Sequence, residues 1–428
     1  MLDLKKIRNN PNEIEAKLKT KDPSIDIKSL LQLDEEIRQL QTKSEDLKSK
    51  KNKFSKQIGK KKEDLADLKN EMKILGEQII QLDKKIDELK KQLNYLLSNL
   101  PNIPMDDVPI SLSAKDNVCI KKFKEKKEFS FPIKNHLELN KNLKLFDFIN
   151  SSKIAGTNWP LYTNLGARLE WALLNYMIDT HIKNGFTQII PPILCREEIM
   201  YGSGQLPKFE KQLFKLTDKD FNLYLIPTAE VVLNGINYDK ILTEEELPLK
   251  YVSYTPCFRR EAGAAGKNER GLIRTHQFNK VELFCVTKPE DSEKIFSLML
   301  KSAEEVLQGL ELHYKNMLLV TSDTSFAAAK TIDIEVWLPG QDRYYEVSSV
   351  SNCTDFQSRR SLTRYKSKNK TTEYLHTLNG SGVATSRLMV AILENNQQKD
   401  GSVIIPKVLH KYLEDEIAIL NEKKGINI

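Results

Sequence analysis

Between Leu30 and Leu96 the apolar residues recur at alternating spacings of three and four. In the second half, Leu65, Leu68, Met72, Leu75, Ile79, Leu82, Ile86, Leu89, Leu93 and Leu96 keep that spacing unbroken. In the first half, Leu30, Leu33, Ile37, Leu40, Leu47, Phe54 and Ile58 keep it with polar lapses at Ser44 and Lys51. A seam that repeats every ~3.5 residues is the pattern of a coiled coil. Gly59 and the run Lys60-Lys61-Lys62 separate the halves, which predicts an antiparallel two-helix arm over about 28–97 with a tight tip. At ~1.5 Å of rise per residue, each helix should be roughly 45–50 Å long.

Pro101, Pro104 and Pro109 end this region and open a connector, 101–134, that includes the basic run Lys121 to Lys127. From about Asn135 the pattern turns mixed. Helical stretches fall at Leu165–Lys183 and Ser292–Leu310. Strand-like stretches fall at Leu223–Pro227, Tyr251–Arg260, Leu272–Val286, Ile332–Leu338 and Tyr344–Ser349. Consecutive strands at hairpin spacing predict an α+β domain, an antiparallel sheet flanked by helices, rather than a doubly wound parallel sheet.

The densest chemistry lies in Tyr251–Phe284, read as two strands joined by a Gly- and Ala-rich loop. With side chains alternating, Arg259 and Glu261 share a face of the first strand, and Arg274, His276, Phe278, Lys280 and Glu282 share a face of the second. Such a face is either an exposed hairpin whose charges pair with each other or a floor for a nucleotide. Guanidinium forks match phosphate oxygens and an aromatic ring stacks on a base, so the mixture favours the second reading. No P-loop and no Rossmann fingerprint occurs, so nucleotide handling must use another device.

Charge changes the picture of the arm more than that of the whole chain. The net charge is only +7 with 29% charged residues. Yet Lys48, Lys50, Lys51, Lys53, Lys56, Lys60, Lys61 and Lys62 fall in an acid-free stretch at the expected tip. A lysine run can be a merely solvated face; at the end of a projecting arm it suits a phosphate backbone, read by charge and shape rather than base edges. Five scattered cysteines without a C-x-x-C pair argue against a disulfide framework or structural zinc site and for a reducing compartment. Without a signal-type N-terminus or a run of 18 apolar residues, a cytoplasmic protein with no membrane partner is expected.

Further segments complete the set: a proline-ended strand approach at Gly185–Pro192, Thr228-Ala229-Glu230 after an apolar strand, Asp333–Trp337, Glu346-Val347-Ser348-Ser349, and Asn379-Gly380-Ser381-Gly382 leading to a helix with Arg387. These resemble the signature motifs of class II aminoacyl-tRNA synthetases: Pro192 in motif 1, Phe258-Arg259-Arg260-Glu261 in motif 2, and the Arg387 helix in motif 3. With the arm, the chain resembles the bacterial-type seryl-tRNA synthetase family over essentially its whole length.

The resemblance implies an N-terminal tRNA-binding domain over 1–100, a linker over 101–134 and a class II catalytic domain over 135–428. It implies ligation of L-serine to tRNA(Ser), and to tRNA(Sec) where present, through a seryl-adenylate, with ATP as substrate and Mg2+ as cofactor. Arg259, Arg387 and Glu261 would be catalytic. ATP would lie against Arg259, Arg260, Glu261, Arg274, Phe278, Glu346, Val347, Ser348, Ser349 and Arg387. Arg259 would hold the α-phosphate, Arg387 the γ-phosphate and Phe278 the adenine. Thr228, Ala229, Glu230, Glu282 and Ser381 would bind serine, with Glu282 accepting from the hydroxyl. A site that hydrogen-bonds the hydroxyl rejects alanine by about 10⁴-fold or more.

Glu346 and Ser349 would hold the metal; on a regular strand an i,i+3 pair does not share a face, so the strand should end or bulge there. Lys48, Lys51, Lys53, Lys56, Lys60, Lys61 and Lys62 would contact the long extra arm of the tRNA, and Pro192 would mark the interface of a homodimer. The chain departs from the family pattern at Ser322, Ser325 and Ser386, where glycines are common. An inactive or carrier-directed class II paralogue is the alternative reading, distinguished by loss of Arg259, Arg387 or Glu282, all of which are present.

Overall fold

The structure is a computed structural model, and its described residues are 1–58, 66–261, 270–413 and 418–421. Lys60, Lys61 and Lys62, and the loop 262–269, lie outside them. The chain divides into two compact units, Leu2–Pro101 and Asn102–Ile428, the latter with Met1.

In the first unit, short helices at Leu4–Asn9 and Pro11–Lys21 precede α1 (Lys28–Ile58) and α2 (Ala66–Ser98). Their 31 and 33 residues give lengths of about 46–50 Å at ~1.5 Å per residue. The two helices pack on each other, with Leu30, Ile37, Ile79, Ile86 and Leu93 buried. Both polar lapses are accommodated across the pair. The buried Ser44 hydroxyl donates to Asp83 at 2.7 Å, and Lys48 reaches the same carboxylate at 2.8 Å. Lys51 lies opposite Gly76, where an added β-carbon would sit 3.2 Å from its Nζ.

The second unit is built on one eight-stranded sheet. In chain order its strands are β1 (Val118–Phe123), β2 (Thr187–Gln188), β3 (Leu249–Phe258), β4 (Gln277–Thr287), β5 (Tyr314–Leu318), β6 (Lys330–Leu338), β7 (Arg343–Asn352) and β8 (His376–Ala384). Across the sheet they run β1-β5-β6-β7-β8-β4-β3-β2, antiparallel except where β2 joins β3. One face carries Val252, Val281, Leu283, Cys285, Val350 and Leu378 into the main core. The helices α3 (Asn164–Lys183), α4 (Ser292–Gly309) and α5 (Thr385–Asn395) cover that face, which leaves the other free to be polar.

Two expectations need correction. The segment 101–134 is not only a linker, because β1 forms the sheet edge against β5. Its lysines hid the strand, but they are used internally: Lys121 pairs with the buried Glu304 at 2.6 Å, and Lys126 Nζ lies 3.2 Å from the centre of the Trp337 ring. The strand expected from Leu272 begins only at Gln277. Before it, Gly271–Ile273 makes a 3-10 turn that buries Leu272 and Ile273. Gly271 has φ +68° and a β-carbon there would lie 2.4 Å from His136 Nε2, so the turn admits only glycine without rearrangement. Arg274 and His276 therefore precede the strand rather than lie along it.

Two bulges shape the polar face. Along β7 the register with β6 shifts, Ile334 facing Ser348 and Glu335 facing Glu346, so that Val347 is the extra residue. The i,i+3 spacing of Glu346 and Ser349 demanded such a break, and it brings both to one side. On β8 the register slips between Ser381 and Ala384, and Val383 takes φ +100°, a costly state for a β-branched residue.

Beneath this face, Glu170 of α3 ties three elements together. Its Oε1 accepts from Asn279 Nδ2 of β4 at 2.9 Å and from the Thr385 hydroxyl at the start of α5. Burial pushes its carboxyl up to about 7. The folded chain thus holds this proton more tightly than the unfolded chain. The resulting stabilisation is complete below about pH 4.5 and is lost as pH rises through about 7. Glu170→Gln keeps the accepting oxygen without the charge. Its stability relative to wild type should improve by about 2 kcal/mol between pH 5.5 and pH 8, measured by urea unfolding at both pH values.

Candidate active site

Strand pairing sets the polar face. Cys257, Thr255 and Ser253 of β3 lie opposite Phe278, Lys280 and Glu282 of β4. Glu282 in turn faces Ser381 of β8, and Asn379 faces Ser351 of β7. Two cavities open on this face, of about 100 Å³ and 470 Å³.

The smaller cavity gathers Arg259, Glu261, Arg274, Phe278, Glu346, Val347 and Arg387, which are scattered over 129 positions of the chain from 259 to 387. The Arg259 guanidinium lies 5.2 Å from the centre of the Phe278 ring. Arg274 Nη1 donates to Glu261 Oε2 at 2.7 Å. Glu261 itself, three residues past the end of β3, has φ +49°, a strained backbone state for a residue with a side chain. Arg387 sits in the first turn of α5; its Nη1 donates to the Glu346 carbonyl at 2.7 Å and its Nε to the Ile273 carbonyl at 3.2 Å. Backbone carbonyls thus hold the fork in place while its exposed edge faces the cavity.

The larger cavity gathers Thr228, Glu230, Lys280, Glu282, Ser349 and Ser381. Lys280 Nζ is 2.6 Å from Glu282 Oε2 and donates to Thr228 Oγ1 at 3.0 Å. Glu230 Oε1 accepts from Gln357 Nε2 at 2.6 Å and Asn379 Nδ2 at 2.9 Å. Burial first, and then the neighbouring Glu282 carboxylate, push Glu230 up to about 7.

Three expected site residues face elsewhere. Ala229 is buried in an apolar cluster with Leu233 and Phe284. The buried Ser348 donates to the Ser381 carbonyl, bracing β8 from behind. Arg260 is exposed and lines neither cavity, its N–H being used by the Gln212 carbonyl at 3.0 Å. Pro192 is exposed near the β2 edge. Ser322, Ser325 and Ser386 all have negative φ, so none stands where a left-handed glycine would be needed.

Four residues acquire a place that sequence reasoning gave no role: Lys280, Gln357, Asn379 and Asp333. Lys280 was visible on the right face and Asn379 and Asp333 lay in quoted motifs, but Gln357 had no local signal at all.

Comparison with known proteins agrees with this geometry. Residues 1–104 match the Seryl-tRNA synthetase N-terminal domain, and residues 213–396 match the tRNA synthetase class II core domain (G, H, P, S and T). A serine–tRNA ligase of Chlamydia felis is 52% identical over 416 residues, covering 96% of this chain and 98% of that one. The chain belongs to the seryl-tRNA synthetase family. A second relative, the serine–tRNA ligase of Chlamydia abortus, is 49% identical and covers 98% of this chain and 100% of its own. Among solved structures, seryl-tRNA synthetase from Pyrococcus horikoshii complexed with ATP superposes with a TM-score of 0.93 at 36% identity, covering 100% of both chains. The cytoplasmic serine–tRNA ligase of Naegleria fowleri with AMP gives 0.85 at 29% identity, covering 96% of each. Seryl-tRNA synthetases are class II enzymes, and the antiparallel sheet with its covering helices is the α+β architecture expected of one.

The donor set fits a hard divalent cation. Glu346 offers an exposed carboxylate and Ser349 a hydroxyl on the same side of the bulge, and both are oxygen ligands. Behind them Asp333, paired in register with Ser349, has a buried Oδ1 without a hydrogen-bond partner. Burial and the Glu346 carboxylate hold Asp333 well above the usual carboxylate range, the condition a cation at this place would relieve.

A carboxyl that titrates near 7 makes the binding of any ammonium against it pH-dependent in a defined sense. Below about pH 7 Glu230 is protonated in the empty pocket, so KM for an amino acid held there should rise, approaching tenfold per pH unit as pH falls toward 5. In Glu230→Gln the KM should be high throughout and lose this slope. Steady-state ATP–pyrophosphate exchange from pH 5.5 to 8.5 measures both.

Proposed function

We propose that this protein is a serine–tRNA ligase that performs both half-reactions on the polar face of the sheet. The observation that carries the reading is the shared wall of the two cavities: Arg259, Glu261, Arg274, Lys280, Glu346 and Ser381 line both. An amino acid in the larger cavity therefore lies against a nucleotide in the smaller one.

In the first step the serine carboxylate attacks the α-phosphorus of ATP and pyrophosphate leaves. Glu230 pairs with the α-ammonium, Glu282 accepts from the side-chain hydroxyl, and Arg259 neutralises the α-phosphate as charge builds there. Phe278 stacks the adenine, with Glu261 and Arg274 clamping its edge, and Arg387 holds the γ-phosphate. Glu346 and Ser349 would hold Mg2+, which would supply charge neutralisation to the phosphates. In the second step a terminal ribose hydroxyl of tRNA attacks the seryl carbonyl, AMP leaves, and the hydroxyl proton passes to a phosphate oxygen of the departing AMP. Positioning and electrostatics suffice for both steps, so no general acid of the protein is required.

The arm lysines serve the second substrate. Lys53 and Lys56 are exposed and Lys51 is half-buried along α1, facing solvent as a phosphate-binding surface does. The partner we assign to them is the long extra arm of tRNA(Ser). For the homodimer, the edge near Pro192 offers exposed apolar side chains at Ile190 and Ile193, with Trp171 exposed on α3.

Two experiments test this reading. Arg387→Ala should cut serine-dependent ATP–pyrophosphate exchange by at least about 10²-fold, with the fold intact by circular dichroism; exchange at the wild-type rate removes the γ-phosphate role. Replacing Lys51, Lys53 and Lys56 together by Gln should leave exchange unchanged and raise KM for tRNA at least about tenfold, with the salt slope of binding reduced by roughly 2–3. Unchanged charging of tRNA at 0.15 M salt would show that the arm contacts it elsewhere.

A further inference from the structure

Lys280 has no part in the two-step reading, yet its ammonium is buried, lines both cavities and touches two of the groups assigned to the amino acid. Hydrogen-bond accounting shows what that contact does. Thr228 Oγ1 accepts from Lys280 Nζ at 3.0 Å and from the Glu230 N–H at 3.3 Å. A hydroxyl has two lone pairs and one proton, so what Thr228 has left for a ligand is the proton. Glu282 has Oε2 2.6 Å from the same ammonium, and its remaining lone pairs can only accept while it stays ionised.

We propose that Lys280 fixes the polarity of the amino-acid pocket. Paired with Glu282 and Thr228, it keeps the carboxylate an obligate acceptor and the hydroxyl an obligate donor, so that only a side chain bringing its own donor is accepted. The proposal rests on the serine-ligase reading and adds the group that enforces its selectivity.

The surroundings show why an ammonium is needed. The charged and titratable groups around Lys280 are Glu230 from the helix Glu230–Gly235, Cys257 from β3, Arg259 just beyond its end, and Glu282 on its own strand, with Glu261, Arg274 and Glu346 on the wall that the two cavities share. The two amides of the pocket, Gln357 and Asn379, are neutral and already committed to Glu230. Two carboxylates, Glu230 and Glu282, are therefore buried in one pocket and repel. Without Lys280 the pair would share a proton, and a protonated Glu282 could donate as well as accept. A neutral carboxyl left unpaired by alanine costs less than a buried carboxylate left unpaired, so discrimination would fall.

The test is the ratio of kcat/KM for serine over alanine in ATP–pyrophosphate exchange from pH 6 to 9. Both amino acids carry the same α-ammonium, so titration of Glu230 cancels in the ratio. In the wild type the ratio should be constant; a wild-type ratio that climbs with pH overturns the proposal. In Lys280→Met it should drop at least about tenfold at pH 6.5 and recover as the unpaired Glu282 ionises. A ratio equal to wild type at every pH in Lys280→Met also overturns it, however much activity is lost. Should that variant fail to fold, Lys280→Met with Glu282→Gln removes both charges together and should give a low, pH-independent ratio; a wild-type ratio there is again fatal. Absence of any serine-dependent exchange in the wild type would instead sink the ligase reading itself.

Discussion

Three guanidiniums, an ammonium and four carboxylates share one face of an antiparallel sheet whose other face is sealed by helices, and their charges must balance there. Most do so by pairing within the protein: Arg274 with Glu261, Arg387 with Glu346, Lys280 with Glu282. Glu230 alone has amide partners in place of a cation, and it is the one held near 7. The empty site is thereby close to neutral, and stable, while its forks keep their geometry for a ligand that brings phosphates. Breaking any buried pair by deleting one partner leaves the other as an uncompensated charge, which is why these positions are coupled rather than additive.

Much of this was legible because period survives folding. The heptads from Leu30 to Leu96 specify the helix pair, and even the lapses are accommodated, Ser44 by a hydrogen bond to Asp83 and Lys51 by the space over Gly76. The i,i+3 spacing of Glu346 and Ser349 foretold a break, and the extra Val347 supplies it. Where reading failed, a short-range rule was overridden by something distant. Lysines disguised β1 as linker because their partners, Glu304 and Trp337, lie far along the chain. The same bulge that joins Glu346 to Ser349 turns Ser348 away from the site. Ala229 belongs to the core because the chain turns into a helix immediately after it. Gln357 could not be found from sequence, since its only credential is proximity to Glu230.

Strain is concentrated where the chain changes direction at the site. Glu261 at φ +49° and Val383 at φ +100° are states that a side chain with a Cβ pays to enter. The first swings a carboxylate onto Arg274; the second lies between Ser381, which lines both cavities, and Arg387, which lines the smaller one. Glu170 stands beneath, joining β4 to the start of α5, and it restricts the freedom that would otherwise relax the bend. The precision of the catalytic face is thus underwritten from the opposite side of the sheet.

Charge balance also orders the binding of the amino acid. A zwitterion brings one positive and one negative group into a pocket that is nearly neutral, so each must find its complement or be excluded. In the proposed binding mode the ammonium meets Glu230 and pulls that carboxyl into its ionised form, while the one ammonium deep in the pocket, Lys280, is already engaged by Glu282. That mode leaves the carboxylate to Arg259, at the wall shared by the two cavities. The proposed mode thus orients the amino acid before any chemistry, with its nucleophilic oxygen toward the second cavity, and the internal ion pair of Lys280 and Glu282 is what removes the alternative.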